Sequence, residues 1–139
     1  MKKVIISIKG INKPEGGEKD EIELVTDGEY EFSGTSAVFT YMESELTGLE
    51  GTRTTFEIEN GNVVLSREGT VTSKMLFEEG KKYYFAYETP FGAMTMGVDT
   101  HSVVSRLDES GGNIEIRYHI DMDNSPVSRN MFKINIKEC

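Results

Sequence analysis

Apolar and polar residues alternate with a period of two along most of this chain, the pattern of strands with one buried face. Between Lys2 and Ile11, Val4, Ile6 and Ile8 alternate with Ile5, Ser7 and Lys9. From Thr52 to Glu59, Thr52, Thr54, Phe56 and Ile58 share one face and Arg53, Thr55, Glu57 and Glu59 the other. The same period runs through Val63, Leu65 and Arg67, through Val71, Ser73, Met75 and Phe77, through Ile114, Ile116, Tyr118, Ile120 and Met122, and through Phe132, Ile134 and Ile136. Turn residues punctuate these runs. Asn60-Gly61 is the sharpest hairpin mark, and Glu68-Gly69-Thr70, Glu79-Gly80 and Asp123-Asn124-Ser125-Pro126 mark others. Lys81 to Asp99 reads as a hairpin about Thr89-Pro90-Phe91-Gly92. One arm carries Tyr83, Phe85 and Tyr87, the other Met94, Met96 and Val98.

Three stretches are less regular. Ile22, Leu24 and Thr26 predict a strand, Asp27-Gly28 a tight turn, and Tyr30 and Phe32 the returning strand. Ala37 to Glu45 predicts a strand whose period does not choose between Phe39 with Tyr41 and Val38 with Thr40 and Met42. Val103, Ser105 and Leu107 predict a short strand, followed by a loop over Asp108-Glu109-Ser110-Gly111-Gly112.

No window has the apolar spacing of an amphipathic helix. Short links between sequential strands favour an up-and-down order. Such a sheet leaves two edges, and pairing the Lys2–Ile11 strand with the Phe132–Ile136 strand removes both. The predicted fold is therefore all-β: a closed up-and-down antiparallel β-barrel of about 8–10 strands with little or no helix, a single domain over residues 1–139.

Net charge is −9, from 15 basic and 24 acidic residues. That argues against nucleic acid and anionic membrane surfaces as partners. The single cysteine, Cys139, allows no internal disulfide and fits a reducing compartment. The N-terminal apolar run Val4–Ile6 is shorter than the ~7–15 residues of a secretory leader, and no stretch approaches a membrane-spanning helix. The expected location is cytoplasmic, the expected state a monomer or homodimer.

Three blocks carry a resemblance: Gly48-Leu49-Glu50-Gly51-Thr52-Arg53-Thr54-Thr55, then Tyr87 to Met96, then Leu107-Asp108-Glu109 with Gly111-Gly112. Together, and in this order along the whole chain, they resemble the YwiB-like family of bacterial proteins. The resemblance implies a calycin-type barrel, related in shape to lipocalins and fatty-acid-binding proteins. It implies no catalytic or binding residue. The chain lacks tryptophan, hence the Gly-x-Trp of true lipocalins, and it lacks the helical lid of the fatty-acid binders.

A small barrel either fills its interior with side chains or holds one small ligand. The inward positions include Thr54, Phe56, Leu65, Arg67, Ser73, Met75, Phe77, Phe85, Tyr87, Met94, Met96 and Tyr118. Methionine adapts to irregular partners, and tyrosine joins an apolar body to a polar tip. Thr54, Arg67, Ser73, Met75, Phe85, Tyr87, Met94, Met96 and Tyr118 are accordingly the candidate ligand-binding residues, for a small amphipathic or anionic molecule. Arg67 is either the anchor of that molecule's charged end or a structural tie paired inside the barrel and stacked on a residue such as Tyr87. The alternative function is an interaction or assembly module with a filled core, using outer residues such as Phe39 or Tyr41, Tyr84 and Leu76.

Other chemistry finds little support. The acidic run from Glu15 to Glu31 alternates along strands, unlike a calcium loop. Asp121-Met122-Asp123-Asn124-Ser125 opens like an EF-hand but has Pro126 at the sixth place and Phe132 at the twelfth. His101 and His119 are 18 residues apart without a Cys/His cluster, so solvent-facing strand positions are expected and no metal or cofactor is called for. No Gly-x-Ser-x-Gly elbow or phosphate loop occurs, and catalysis is not expected.

Overall fold

A computed structural model describes all 139 residues, Met1–Cys139. Ten strands follow one another: β1 (Lys2–Pro14), β2 (Asp20–Phe32), β3 (Ser36–Met42), β4 (Arg53–Glu59), β5 (Asn62–Glu68), β6 (Thr72–Phe77), β7 (Lys82–Thr89), β8 (Gly92–Asp108), β9 (Gly111–Met122) and β10 (Ser125–Glu138). The only helical piece is a single 3-10 turn at Glu45–Thr47. Each strand pairs with its sequence neighbour, and β1 pairs with β10 to close the barrel. The closing ladder matches Ile6 with Ile136, Ile8 with Ile134 and Gly10 with Phe132. Equal side-chain parity on the two strands puts their isoleucines on one inner face, which is why these strands meet in this register.

Two expected turns or loops are strand instead. Asp27-Gly28 is not a turn: β2 runs straight through it, with Asp27 opposite Ile5 and Gly28 opposite Val4. The glycine serves close approach instead, because a Cβ there would collide with the Ile6 side chain and the Thr40 carbonyl. The unbroken inward parity of Leu24, Thr26, Gly28 and Tyr30 is the trace of this in the sequence. Gly111-Gly112 is likewise no loop but the start of β9. Gly112 has φ +140, and a Cβ on it would strike the Arg106 carbonyl, so only glycine lets β9 leave the turn against β8.

The inner face fills in rows. Phe32–Ala37–Ile58–Val63–Phe77 lie across β2 to β6, and above them Tyr30–Phe39–Phe56–Leu65–Met75. Phe39 and Tyr41 are both buried, so β3 turns its odd residues inward and neither is an outer docking residue. Rings occupy the middle of the lumen. Phe39 stacks on Phe56 at 4.7 Å, Phe56 meets Phe132 edge-on at 5.9 Å, and Tyr118 joins Phe132 to Phe77. The barrel end that carries the chain termini is tied by the Tyr30 hydroxyl, which donates to the Asp108 carbonyl at 2.6 Å.

Burial, with the nearby Asp108 charge, pushes the Tyr30 phenol up to about 12, and burial raises Tyr41 and Tyr118 as well. Between pH 10 and 12 the unfolded chain has released protons that the barrel still holds, so stability falls as pH rises through that window. The expected loss from Tyr30 alone is on the order of 2 kcal/mol. Urea midpoints measured from pH 8 to pH 11.5 test this; a flat profile contradicts it.

Candidate functional site

One more row crosses the inner face, nearer the end opposite the termini. Cross-strand register sets Tyr41 (β3) opposite Thr54 (β4), Thr54 opposite Arg67 (β5), and Arg67 opposite Ser73 (β6). The row continues with Ser73 opposite Tyr87 (β7) and Tyr87 opposite Met94 (β8). Thus five of the nine expected site residues form one belt. Phe85 with Met96, and Met75, lie one step deeper on the same strands. Tyr118 comes from β9, on the ring side of the lumen. All nine face inward, but unequally: Thr54, Ser73, Met75, Phe85 and Tyr118 are buried, Arg67, Tyr87 and Met96 half-buried, and Met94 is 43% exposed near the end of the β7–β8 hairpin.

A residue that the periodicity left undecided completes the belt. Glu43 follows β3 on the inward parity of Phe39 and Tyr41, and its side chain is 1% exposed. Its Oε2 accepts a 2.5 Å hydrogen bond from the Thr54 hydroxyl and lies 3.8 Å from Arg67 Nε. The segment is held there because the Glu43 N–H donates to the Thr52 carbonyl at 2.8 Å, bridging the chain across the Ser44–Gly51 turn. So Arg67 does have an internal carboxylate. The clue was parity: once Phe39 and Tyr41 are inside, Glu43 must be too.

At 3.8 Å the ion pair is too long for a direct hydrogen bond. Arg67 Nε, Glu43 Oε1, Thr52 Oγ and Ser73 Oγ are buried and find no hydrogen-bond partner in the protein. Four such atoms around one layer are unusual, since each costs about 1–3 kcal/mol when left unmatched. Tyr41 stands beside them; burial first, then the Glu43 carboxylate, holds its phenol far above the usual range. Ser73 has no hydrogen-bonded base, so nothing activates it as a nucleophile. The belt thus presents a guanidinium donor, a carboxylate acceptor and two hydroxyls, with the part-exposed Met94 in the same row.

A separate recess of about 500 Å³ lies along the outer wall of β2, β1, β10, β9 and β8, rimmed by Ser7, Lys9, Asn113 and Lys133. It does not touch the belt.

The fold defines a class, small closed ten-stranded antiparallel barrels. Within that class the chain belongs to the DUF1934 family, described as a domain of unknown function, whose model matches residues 6–134. It is similar to the uncharacterised β-barrel protein YwiB of Bacillus subtilis (strain 168), 27% identical over 115 residues, which cover 83% of this chain and 79% of YwiB. The crystal structure of the YwiB protein from Bacillus subtilis has the same fold, with a TM-score of 0.87 at 23% identity, over 99% of this chain and 92% of that one.

Proposed function

We propose that the protein binds a small amphipathic molecule at the polar belt, without catalysing its conversion. The observation that carries this is the set of buried, unmatched polar atoms on Glu43, Arg67, Thr52 and Ser73. In a folded barrel such atoms are normally satisfied by protein, water or a bound molecule. Glu43 also narrows the ligand. A simple anion would meet the carboxylate as well as the guanidinium. A head that both donates and accepts, such as an amide, a hydroxy acid or a zwitterion, matches both charges. Its apolar part would lie against Met94 and Tyr87, which share the row of Arg67, Met94 being 43% exposed. Binding at a mostly filled interior means that the molecule occupies the end of the lumen rather than its centre.

A second reading, an interaction or assembly module, draws on the ring-filled centre and on Phe91, fully exposed at the β7–β8 tip, with Tyr84 66% exposed on β7. Under either reading the acidic composition and lone cysteine favour a cytoplasmic location without nucleic-acid or membrane partners.

Native mass spectrometry of gently purified protein tests the first reading. The expected result is a mass above that of the chain, returning to the chain mass on denaturation with release of one small molecule. Chain mass alone, together with a dimer by light scattering, would favour the second.

A further inference from the structure

The ladder between β2 and β3 is short. It runs from Glu29 opposite Thr40 to Phe32 opposite Ala37 and extends no further toward the start of β2. On its other side β2 is paired with β1 from Asp20 opposite Asn12 to Tyr30 opposite Lys2. Antiparallel neighbours bond through alternate residues. Every other residue ahead of Glu29 therefore aims its N–H and C=O away from β1, on the side where β3 has diverged. No loop backbone bonds to this stretch. The Glu45–Thr47 turn approaches β2, yet Asp20, Glu21, Ile22 and Glu23 are all exposed. A strand edge is thus left open at this end of the barrel, and an open edge is a template for another strand.

The two faces of that edge set what it would accept. Glu21 and Glu23 lie on the outer face, Glu23 beside the outer-wall recess. Ile22 and Leu24 share the inward parity of Tyr30; Leu24 is buried and Ile22 is 39% exposed. A strand laid alongside meets carboxylates on one face and aliphatic groups on the other. Glu21 is engaged by Lys9 at 3.7 Å and by Lys19 at 3.0 Å, whereas Asp20 and Glu23 take part in no ion pair. Opposite charges on adjacent strands attract and like charges repel. A second copy docking through the same edge would set carboxylates against carboxylates, so the charge pattern selects a cationic occupant over self-pairing.

We propose that the Asp20–Leu24 edge of β2 is a docking site for an extended basic segment of a partner protein, one that alternates lysine or arginine with aliphatic residues. The partner's main chain would pair with β2, its cationic side chains would face Glu21 and Glu23, and its aliphatic ones would cover Ile22. The acidic residues alone would be a solvated surface; the unpaired main chain makes them a site for a strand. The proposal is independent of any ligand at the belt.

The test is amide NMR of the isotopically labelled full chain, titrated with an end-blocked peptide that alternates lysine and valine. Saturable shifts are expected in Asp20–Leu24 and in the Glu45–Thr47 turn, with affinity falling as salt rises. N-methylation of every lysine or of every valine keeps the peptide's charge and removes donors from one side of its main chain. One of these two peptides should lose roughly tenfold in affinity and the other should bind like the unmodified peptide. The double variant Asp20→Asn/Glu23→Gln should bind about threefold more weakly while keeping the wild-type circular dichroism. Absence of saturable binding, shifts spread over the other acidic surfaces, or equal binding of the two methylated peptides would each overturn the proposal. Concentration-dependent shifts at the same amides without peptide would also overturn it, by placing a second copy on the edge.

Discussion

Arg67→Ala is expected to destabilise the barrel by about 3–5 kcal/mol, and Glu43→Ala by a similar amount. Each removes one member of the inner ion pair and strands the other. Glu43 is the more exposed to this effect, because its side chain has only 1% contact with solvent while that of Arg67 keeps 16%. Thr54 also loses its acceptor when Glu43 goes. The double replacement Glu43→Leu/Arg67→Met should recover most of the loss, to within about 2 kcal/mol of wild type, since apolar residues of similar volume commonly replace a buried pair at little cost. Urea unfolding of the four proteins, read at constant m-value, measures this. Single variants that stay within 0.5 kcal/mol of wild type, or a double variant as weak as either single, would show that the pair is not coupled. Because either single variant weakens the fold, only the double variant separates a structural tie from a ligand anchor.

Phe56→Ala should cost about 3–5 kcal/mol as well, by a different route. Phe56 is fully buried, stacked on Phe39 and edge-on to Phe132. Its removal opens a void amid rings held by strands on opposite walls, which β-ladders on both sides keep from collapsing. Thermal and urea denaturation of this variant report on whether the centre of the lumen is packed. A loss below about 1 kcal/mol would mean that the ring was never supported by its neighbours.

Much of the barrel was legible because a strand with one buried face writes its parity into the chain. Thr52 to Ile58, Val63 to Arg67, Val71 to Phe77 and Ile114 to Ile120 point inward as that parity requires. Closure through β1 and β10 followed from the cost of bare edges. The departures have a common cause, which is that a local motif has meaning only once its neighbours are known. Asp27-Gly28 has the composition of a turn, yet the packing of Ile6 makes it a place where backbones approach. His101 is solvent-facing, as expected, but the bulge in β8 that sets it beside His119 leaves no compositional mark. Arg67 was visible as an inward charge. Glu43 was not, since β3 offers apolar residues on both faces and the partner that makes the belt lies outside the strand.

The central claim is that the unmatched atoms around Glu43 and Arg67 receive a bound molecule. The most direct measurement compares wild type with Glu43→Leu/Arg67→Met, purified side by side and weighed under native conditions. The account predicts a small-molecule adduct on the wild type and bare chain mass on the equally folded double variant. The same adduct on both proteins, or none on either, would contradict it.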